Sequence, residues 1–329
     1  MKAFWKNSKV RYLFLCILIT FVVSCIIGIT PISLEECKCD IQDSPSKLIR
    51  QVQRTNQIKS GKHRLAILVP FRDRFDELLI FVPHMHKFLS KQNIRYHIFI
   101  VNQIDNYRFN RASLINAGFL EVQKDFDYIA MHDVDLLPMN DELLYHYPAQ
   151  GPYHIASPEL HPRYHYPTFV GGILLVNSSR NFPSREQFVQ VNGMSNKYWG
   201  WGLEDDEFYV RLKEAGLNVG RPENVSTGTH NTFKHIHDRN RKKRDMTKCY
   251  NQREVTRRRD RRTGLKDVSY ELVDVTELTI AGTPTITVFK VSLHCNKTDT
   301  PWCDCTKSDD MKGENVEEKK KNKKSQHGS

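Results

Sequence analysis

Residues 65–74 read Leu65-Ala66-Ile67-Leu68-Val69-Pro70-Phe71-Arg72-Asp73-Arg74, five apolar residues stopped by proline and followed at once by charge. A short apolar run bounded by a breaker reads as a buried strand, with the polar cluster at its carboxyl end. The pattern returns twice. His97-Ile98-Phe99-Ile100-Val101 is a second strand leading into Asn102–Asp105, and Tyr128-Ile129-Ala130-Met131 is a third running into His132–Asp135. Between them, residues 74–90 carry apolar positions at helical spacing (Leu78, Leu79, Phe81, Val82, Met85, Phe88, Leu89), with Pro83 expected to kink the helix, and Arg111–Leu120 is helix-like. Strand–helix–strand alternation predicts an α/β protein with a parallel sheet, whose ligands sit at the carboxyl ends of the strands. The second half is richer in turns and aromatics, with a helix expected over Asp205–Ala215 and a last strand over Thr285–Leu293.

A length of 329 residues allows one large domain or two small ones, and 39% hydrophobic with 26% charged residues is a globular composition. Wholesale disorder and a multi-span membrane protein are excluded. Residues 12–29 (YLFLCILITFVVSCIIGI) carry no charge, which is near the length that a membrane-crossing helix needs. Lys2, Lys6, Lys9 and Arg11 precede this run and Glu35 and Glu36 follow it, so the N-terminus is expected inside and the rest outside or lumenal. Ser24-Cys25-Ile26 is a poor cleavage site, which favours an uncleaved anchor over a signal peptide. The expected layout is a tail at 1–11, an anchor at 12–29, a polar stem at 30–61, a catalytic domain at 62–305 and a lysine-rich disordered tail at 306–329.

Six cysteines outside the apolar run (Cys37, Cys39, Cys249, Cys295, Cys303, Cys305) suit an oxidising lumen. The CxC spacings at 37/39 and 303/305 lack a companion C-x-x-C pair or histidine ladder, so disulfide or free thiol is preferred to zinc, with Cys295–Cys303 the best pair. Sequons at Asn177, Asn224 and Asn296 fit a lumenal chain.

Four clusters carry candidate chemistry. Asp133-Val134-Asp135 places two carboxylates at i and i+2, on one side of an extended segment, where they suit Mg²⁺ or Mn²⁺ or a sugar hydroxyl. Such a pair is also common as a solvated turn. His235-Ile236-His237 repeats the spacing with imidazoles, and joined to a carboxylate it makes a mixed N/O site that Mn²⁺ accepts. In Trp201-Gly202-Leu203-Glu204-Asp205-Asp206-Glu207, the four acids suit a helix start. The tryptophans and glycines just upstream suit a sugar platform on a lid, with a carboxylate beside it as general base. Pro70–Arg74 and Phe109-Asn110-Arg111 set arginines among aromatics at strand ends, and Arg244 follows in a basic run; guanidinium forks match phosphate oxygens.

The stretches VPFRDR, FNRASLINAGF, MHDVDLLP, SPELHPRYHYPTFVGGI and WGWGLEDDEF together resemble the β-1,4-galactosyltransferases, in order over roughly 64–305. HIH combined with HDVDLLP and SPELHP is most similar to the branch acting on xylosylated protein. The resemblance implies a GT-A fold with a Rossmann-like mixed sheet, type II Golgi membrane topology, Mn²⁺ dependence, and inverting transfer from UDP-galactose to O4 of xylose on a proteoglycan serine. It implies Asp205 as catalytic base, and Asp135, His235 and His237 as metal ligands. For the donor it implies Pro70, Phe71, Arg72, Asp73, Arg74, Phe109, Asn110, Arg111, Asp133, Val134, His237 and Arg244. Tyr164, Tyr166, Trp201, Leu203, Glu204 and Asp206 would wall and orient the sugars. Phe169 stands where the family carries tyrosine, and the lysine-rich tail is extra.

Thirteen Lys and Arg against four acids between Lys234 and Arg262 would elsewhere suggest nucleic acid. In a lumenal enzyme, acidic core proteins or the growing glycosaminoglycan fit better, and a solvated face without a partner is the plain alternative. Two other readings compete for the whole chain: a sister enzyme using N-acetylglucosamine, and a lumenal polyanion-binding protein without catalysis.

Overall fold

The computed structural model describes residues 12, 16–22, 61–178, 186–238 and 242–306. The chain divides into two units, Met1–Ser44 and Pro45–Ser329. In the first, residues 16–22 are helical, and among the described residues no helix is long and apolar enough to cross a membrane. The stem, Cys37, Cys39 and nearly all of the lysine-rich tail lie outside the described residues, as does most of the anchor.

The second unit is built on a seven-stranded sheet. In chain order come β1 (Arg64–Phe71), α1 (Phe75–Ser90), β2 (Arg95–Gln103), α2 (Arg111–Val122), β3 (Tyr128–His132), β4 (Leu136–Pro138), β5 (Tyr153–His154) and β6 (Ile173–Asn177). Then follow α3 (Gln187–Gln190), α4 (Glu204–Glu214), β7 (Phe233–His235), α5 (Gln252–Arg257), β8 (Tyr270–Leu278), β9 (Ile286–Leu293) and a 3₁₀ turn at Pro301–Cys303. The sheet order is β5-β6-β3-β1-β2-β9-β8, and β4 pairs with β7 apart from it. Strands β3, β1, β2 and β9 are parallel, while β6, β5 and β8 pair antiparallel. The sheet is therefore mixed. Parallel β1 and β3 are buried throughout because the chain packs on both faces, which is why they read as unbroken apolar runs.

Two apolar layers flank the sheet. One gathers Leu68, Phe99, Ile115, Phe119, Phe188, Phe208 and Trp302, and the other Ile67, Phe81, Met85, Ile98, Tyr128 and Ile173. Helix α1 runs through Pro83 with Leu78, Phe81, Val82, Met85, Phe88 and Leu89 buried. Gly118 on α2 lets the helix sit close on the sheet, since a Cβ there would press on Val101 Cγ2.

A buried guanidinium ties α4 to the loop after α5. Arg211 Nε donates to both Glu207 oxygens at 2.8 and 2.9 Å, and Nη2 donates to the carbonyls of Asp260 and Thr263 at 2.9 and 2.8 Å. Asp260 in turn accepts from Ser195 Oγ at 2.6 Å and from the Arg262 amide at 3.0 Å, with Lys197 Nζ at 3.3 Å. Burial opposes the Asp260 charge, yet these donors hold its carboxyl down at about 2.

Two disulfides close the C-terminal region, Cys249–Cys305 and Cys295–Cys303, so the 303/305 pair is divided between two partners. The Asn177 sequon is corrected by the fold. That side chain is wholly buried at the end of β6 and is closed to a glycan, whereas Asn224 and Asn296 are exposed.

Candidate active site

The carboxyl ends of β1, β2 and β3 open into one cavity of about 610 Å³, within the usual size of a small-ligand site. Its lining takes in Pro70, Arg72, Asp73, Arg74, Phe109 and Arg111 from the first two strand ends, and Asp133, Val134 and Asp135 from the third. Tyr164, Tyr166, Trp201, Leu203, Glu204, Asp205, Asp206, His235 and Arg244 come from later segments.

Asp133–Asp135 is a tight turn between β3 and β4 and not the extended segment that the i, i+2 reading assumed; the Asp133 amide donates to Gly172 O at 2.9 Å. The two carboxylates take different partners. Asp133 Oδ1 accepts from Arg111 Nε at 2.8 Å, whereas Asp135 faces the histidines. The β4–β7 ribbon is what brings those histidines in. Leu136 pairs with His235, and the Ile236 amide donates to Asp135 O at 2.9 Å. His235 Nε2 and His237 Nδ1 then lie 3.8 and 3.9 Å from the same oxygen, Asp135 Oδ2.

Among the described residues no three His, Cys, Asp or Glu converge as a finished metal cage. The donor chemistry nonetheless fits a borderline divalent cation. Burial, helped by Arg163 and Arg244, lowers the His235 pKa to about 3, and burial with Arg74 lowers that of His237, so both imidazoles stay neutral, the form that can ligate a metal. His237 Nε2 is buried without a partner, and its Nδ1 meets Arg74 Nη1, a cation in the place of a cation. Burial, then Asp133, raises the Asp135 pKa, which is the position of a carboxylate awaiting positive charge.

Opposite this corner, Glu204, Asp205 and Asp206 occupy the first turn of α4, where the helix dipole favours negative charge. The approach to that turn uses left-handed backbone, with Gly200 at φ 81°, Gly202 at 101° and Leu203 at 77°. Glycine at 200 is also a steric need, because a Cβ would fall on the Arg108 guanidinium. Asp205 Oδ1 accepts from Arg111 Nη1 at 2.9 Å. Burial raises the Asp205 pKa and Arg111 partly offsets the rise; burial and then Asp205 raise that of Glu204. Gly171 sits where a Cβ would strike both Asp205 Oδ2 and the Phe169 ring.

The aromatic wall is closed by Arg244, whose Nη1 donates to Tyr164 Oη at 2.8 Å and whose guanidinium lies 4.7 Å from the centre of the Trp201 ring. Trp201 is half-exposed, but Trp199 is buried against the core and belongs to the packing. Three other expected site residues also have structural duties. Phe71 is buried in the core, on the face opposite Pro70 and Arg72. Asn110 is fully buried and caps α2, its side chain accepting from the Ser113 amide at 2.9 Å. Arg72 lines the cavity, yet its guanidinium donates to the carbonyls of Gln103, Asp105 and Tyr107.

Residues that sequence reasoning passed over include Arg108 and Lys242, Lys243, Met246 and Lys248. Arg108 Nε donates to Asp245 Oδ2 at 2.6 Å, and the Asp245 carbonyl accepts from the Trp201 amide at 2.9 Å, so this pair seats the 242–248 segment beside the tryptophan. The signal was present in the basic run, which was weighed as one patch and not as part of a cavity wall.

A mixed α/β sheet with a carboxylate–histidine corner and a carboxylate-rich helix start across one cleft defines a glycosyltransferase-type fold and site. Family models agree: the N-terminal region of glycosyl transferase group 7 matches residues 28–148, and the N-terminal domain of galactosyltransferase matches 151–236. The chain is 50% identical to β-1,4-galactosyltransferase 7 of Drosophila melanogaster over 319 residues, covering 91% of this chain and 95% of that protein. Against the Homo sapiens β-1,4-galactosyltransferase 7 it is 55% identical, covering 74% and 72%. Against the Caenorhabditis elegans xylosylprotein 4-β-galactosyltransferase it is 48% identical, covering 75% and 84%. The chain belongs to the β-1,4-galactosyltransferase family. Among solved structures, the catalytic domain of the Drosophila β-1,4-galactosyltransferase 7 in complex with xylobiose matches with a TM-score of 0.71 at 58% identity, covering 74% of this chain and 100% of that one. A point mutant of that enzyme, in complex with manganese, UDP-Gal and xylobiose, matches equally well.

Proposed function

We propose that the protein is a Mn²⁺-dependent, inverting galactosyltransferase that moves galactose from UDP-galactose to O4 of xylose on a protein serine. The observation that carries this reading is the placement of Asp135 and His235 on one side of the cavity, with His237 behind them 3.9 Å from the same Asp135 oxygen, and of Asp205 on the other. The substrates named for the matched Drosophila complexes, and the relatives' own names, support the choice of donor and acceptor.

In this reading Asp205 takes the proton from the xylose hydroxyl as its oxygen attacks the anomeric carbon from the face opposite UDP. One displacement inverts the centre. Arg111 keeps Asp205 ionised and oriented through the 2.9 Å bond, while Trp201, Tyr164 and Tyr166 offer flat surfaces to the sugars. Arg244 and Arg74 face the diphosphate. Asp135, His235 and His237 would hold Mn²⁺, which when bound would supply Lewis-acid neutralisation of charge on the leaving diphosphate.

We further infer a single N-terminal anchor from the uncharged run at 12–29 behind four basic residues, with the catalytic domain in the Golgi lumen. The paired cysteines of the catalytic unit support an oxidising compartment.

The decisive experiment incubates the full chain with Mn²⁺ and UDP-galactose and offers an aryl β-xyloside beside an aryl β-N-acetylglucosaminide, with EDTA controls. Transfer to the xyloside alone, lost in EDTA, is expected. Transfer to the glucosaminide would assign the chain to the sister specificity, and transfer to neither would leave a binding protein.

A further inference from the structure

Residues 242–262 carry ten Lys and Arg and only three acids, and the structure engages every one of the three. Asp245 pairs with Arg108, Glu254 with Arg258, and Asp260 lies in the hydrogen-bond net around Arg211. An ordinary solvated surface mixes the two signs. Here the carboxylates are used internally, and among the described residues the exposed side chains of Arg257, Arg261 and Arg262 form no ion pair.

The loop that displays Arg261 and Arg262, just after Arg257 at the end of α5, is held by a net of hydrogen bonds. Arg211 on α4 holds the carbonyls of Asp260 and Thr263, and Asn196 binds the same loop, its amide donating to Thr263 Oγ1 at 3.0 Å and its side chain to Gly264 O at 2.7 Å. The elements that present Asp205 and Trp201 thus also fix the loop of Arg261 and Arg262. Asp205 and Arg211 are six residues apart on α4, about 9 Å along the axis. The loop bearing Arg261 and Arg262 is thus anchored to the helix that carries Asp205, and about three residues of extended peptide span that axial separation. At the cavity end the same basic segment supplies Lys242, Lys243 and Lys248 to the wall.

We propose that Arg257, Arg261 and Arg262 form a docking surface for an acidic polypeptide, the stretch of Asp- and Glu-rich chain flanking the sugar-bearing acceptor residue. This rests on the acceptor reading above and adds the part of the acceptor beyond the sugar. The surface acts on capture of the acceptor and leaves the chemical step untouched, because none of the three side chains lines the cavity.

The test compares the full chain with the Arg257→Gln/Arg261→Gln/Arg262→Gln variant on three acceptors. These are a β-xylosylated serine peptide with Glu and Asp flanks, the same peptide with Gln and Asn flanks, and a small β-xyloside. The expected result is a roughly tenfold rise in KM for the acidic peptide alone, with kcat unchanged and the salt dependence of kcat/KM flattened. An unchanged KM for the acidic peptide, or an equal rise for all three acceptors, would overturn the proposal. Should wild type fail on the small xyloside, the acceptor reading fails instead. Fluorescence anisotropy with the acidic peptide then decides the surface on its own: salt-sensitive binding weakened in the variant supports it, and unweakened binding refutes it. Capture of heparin oligosaccharide or of anionic vesicles, with no binding of the acidic peptide, would also overturn it.

Discussion

Arg111 and Asp205 form a half-buried ion pair, Nη1 to Oδ1 at 2.9 Å, and the same guanidinium reaches Asp133 at 2.8 Å through Nε. Burial alone would lower the Arg111 pKa, but Asp133 and Asp205 hold it above its ordinary value. One cation thus stands between the Asp133 turn and Asp205, the proposed base. Removing it favours the neutral form of Asp205. For Arg111→Gln the acidic limb of the kcat/KM profile should therefore move to higher pH, with a rate loss of roughly 10²-fold at neutral pH. A pH–rate series on the xyloside checks this, and an unmoved acidic limb would detach Arg111 from the base.

Asp205→Asn preserves the shape of the first turn of α4 and removes the proton acceptor. Transfer should fall by about 10²–10⁴, while UDP binding measured by calorimetry in Mn²⁺ stays near wild type. Lost UDP binding would instead mark Asp205 as a nucleotide-site residue.

His235 and His237 approach Asp135 Oδ2 from a segment that only the β4–β7 ribbon brings near. Either one replaced by alanine should raise the Mn²⁺ concentration for half-maximal activity by roughly tenfold or more, with kcat at saturating metal less affected. A metal titration that overlays wild type would strike that histidine from the ligand set.

Asp260 is a prediction about stability. Its carboxyl is depressed to about 2 in the folded protein, against about 3.9 in an unfolded chain. The resulting stabilisation is complete above the unfolded value and is lost as pH falls through the folded one. Asp260→Asn should lower the melting temperature at pH 7, and the gap from wild type should narrow as pH falls from about 4 toward 2. A gap independent of pH would mean that the Asp260 charge plays no part.

The first three strands and two helices were legible because parallel strands buried on both faces leave unbroken apolar runs. Strand β8 was not. Tyr270–Leu278 lies on the sheet edge with Glu271, Asp274 and Glu277 along it, and it alternates between exposed and half-buried positions like a polar loop. The three-residue β4 and β7 carry too little sequence to show themselves. The carboxylate and histidine motifs were readable as types, but their meeting depends on pairing between Leu136 and His235, which no local pattern encodes. At Phe71 and Asn110 adjacency to a motif does not reveal that strand alternation and helix capping give those side chains packing and capping duties. The Cys249–Cys305 link spans 56 residues and had no spacing signature.

The pairing of the late strand β9 with the early strand β2 has a consequence for biogenesis. Phe99 on β2 pairs with Thr287 on β9. At roughly 5–20 residues per second, the intervening chain takes on the order of 10–40 s to be made. Through that interval the β2 edge is an open row of backbone donors and acceptors, ready to template a foreign strand. Truncation before Ile286 would make that interval permanent, so premature stop codons near the C-terminus should yield aggregates and not shortened enzymes.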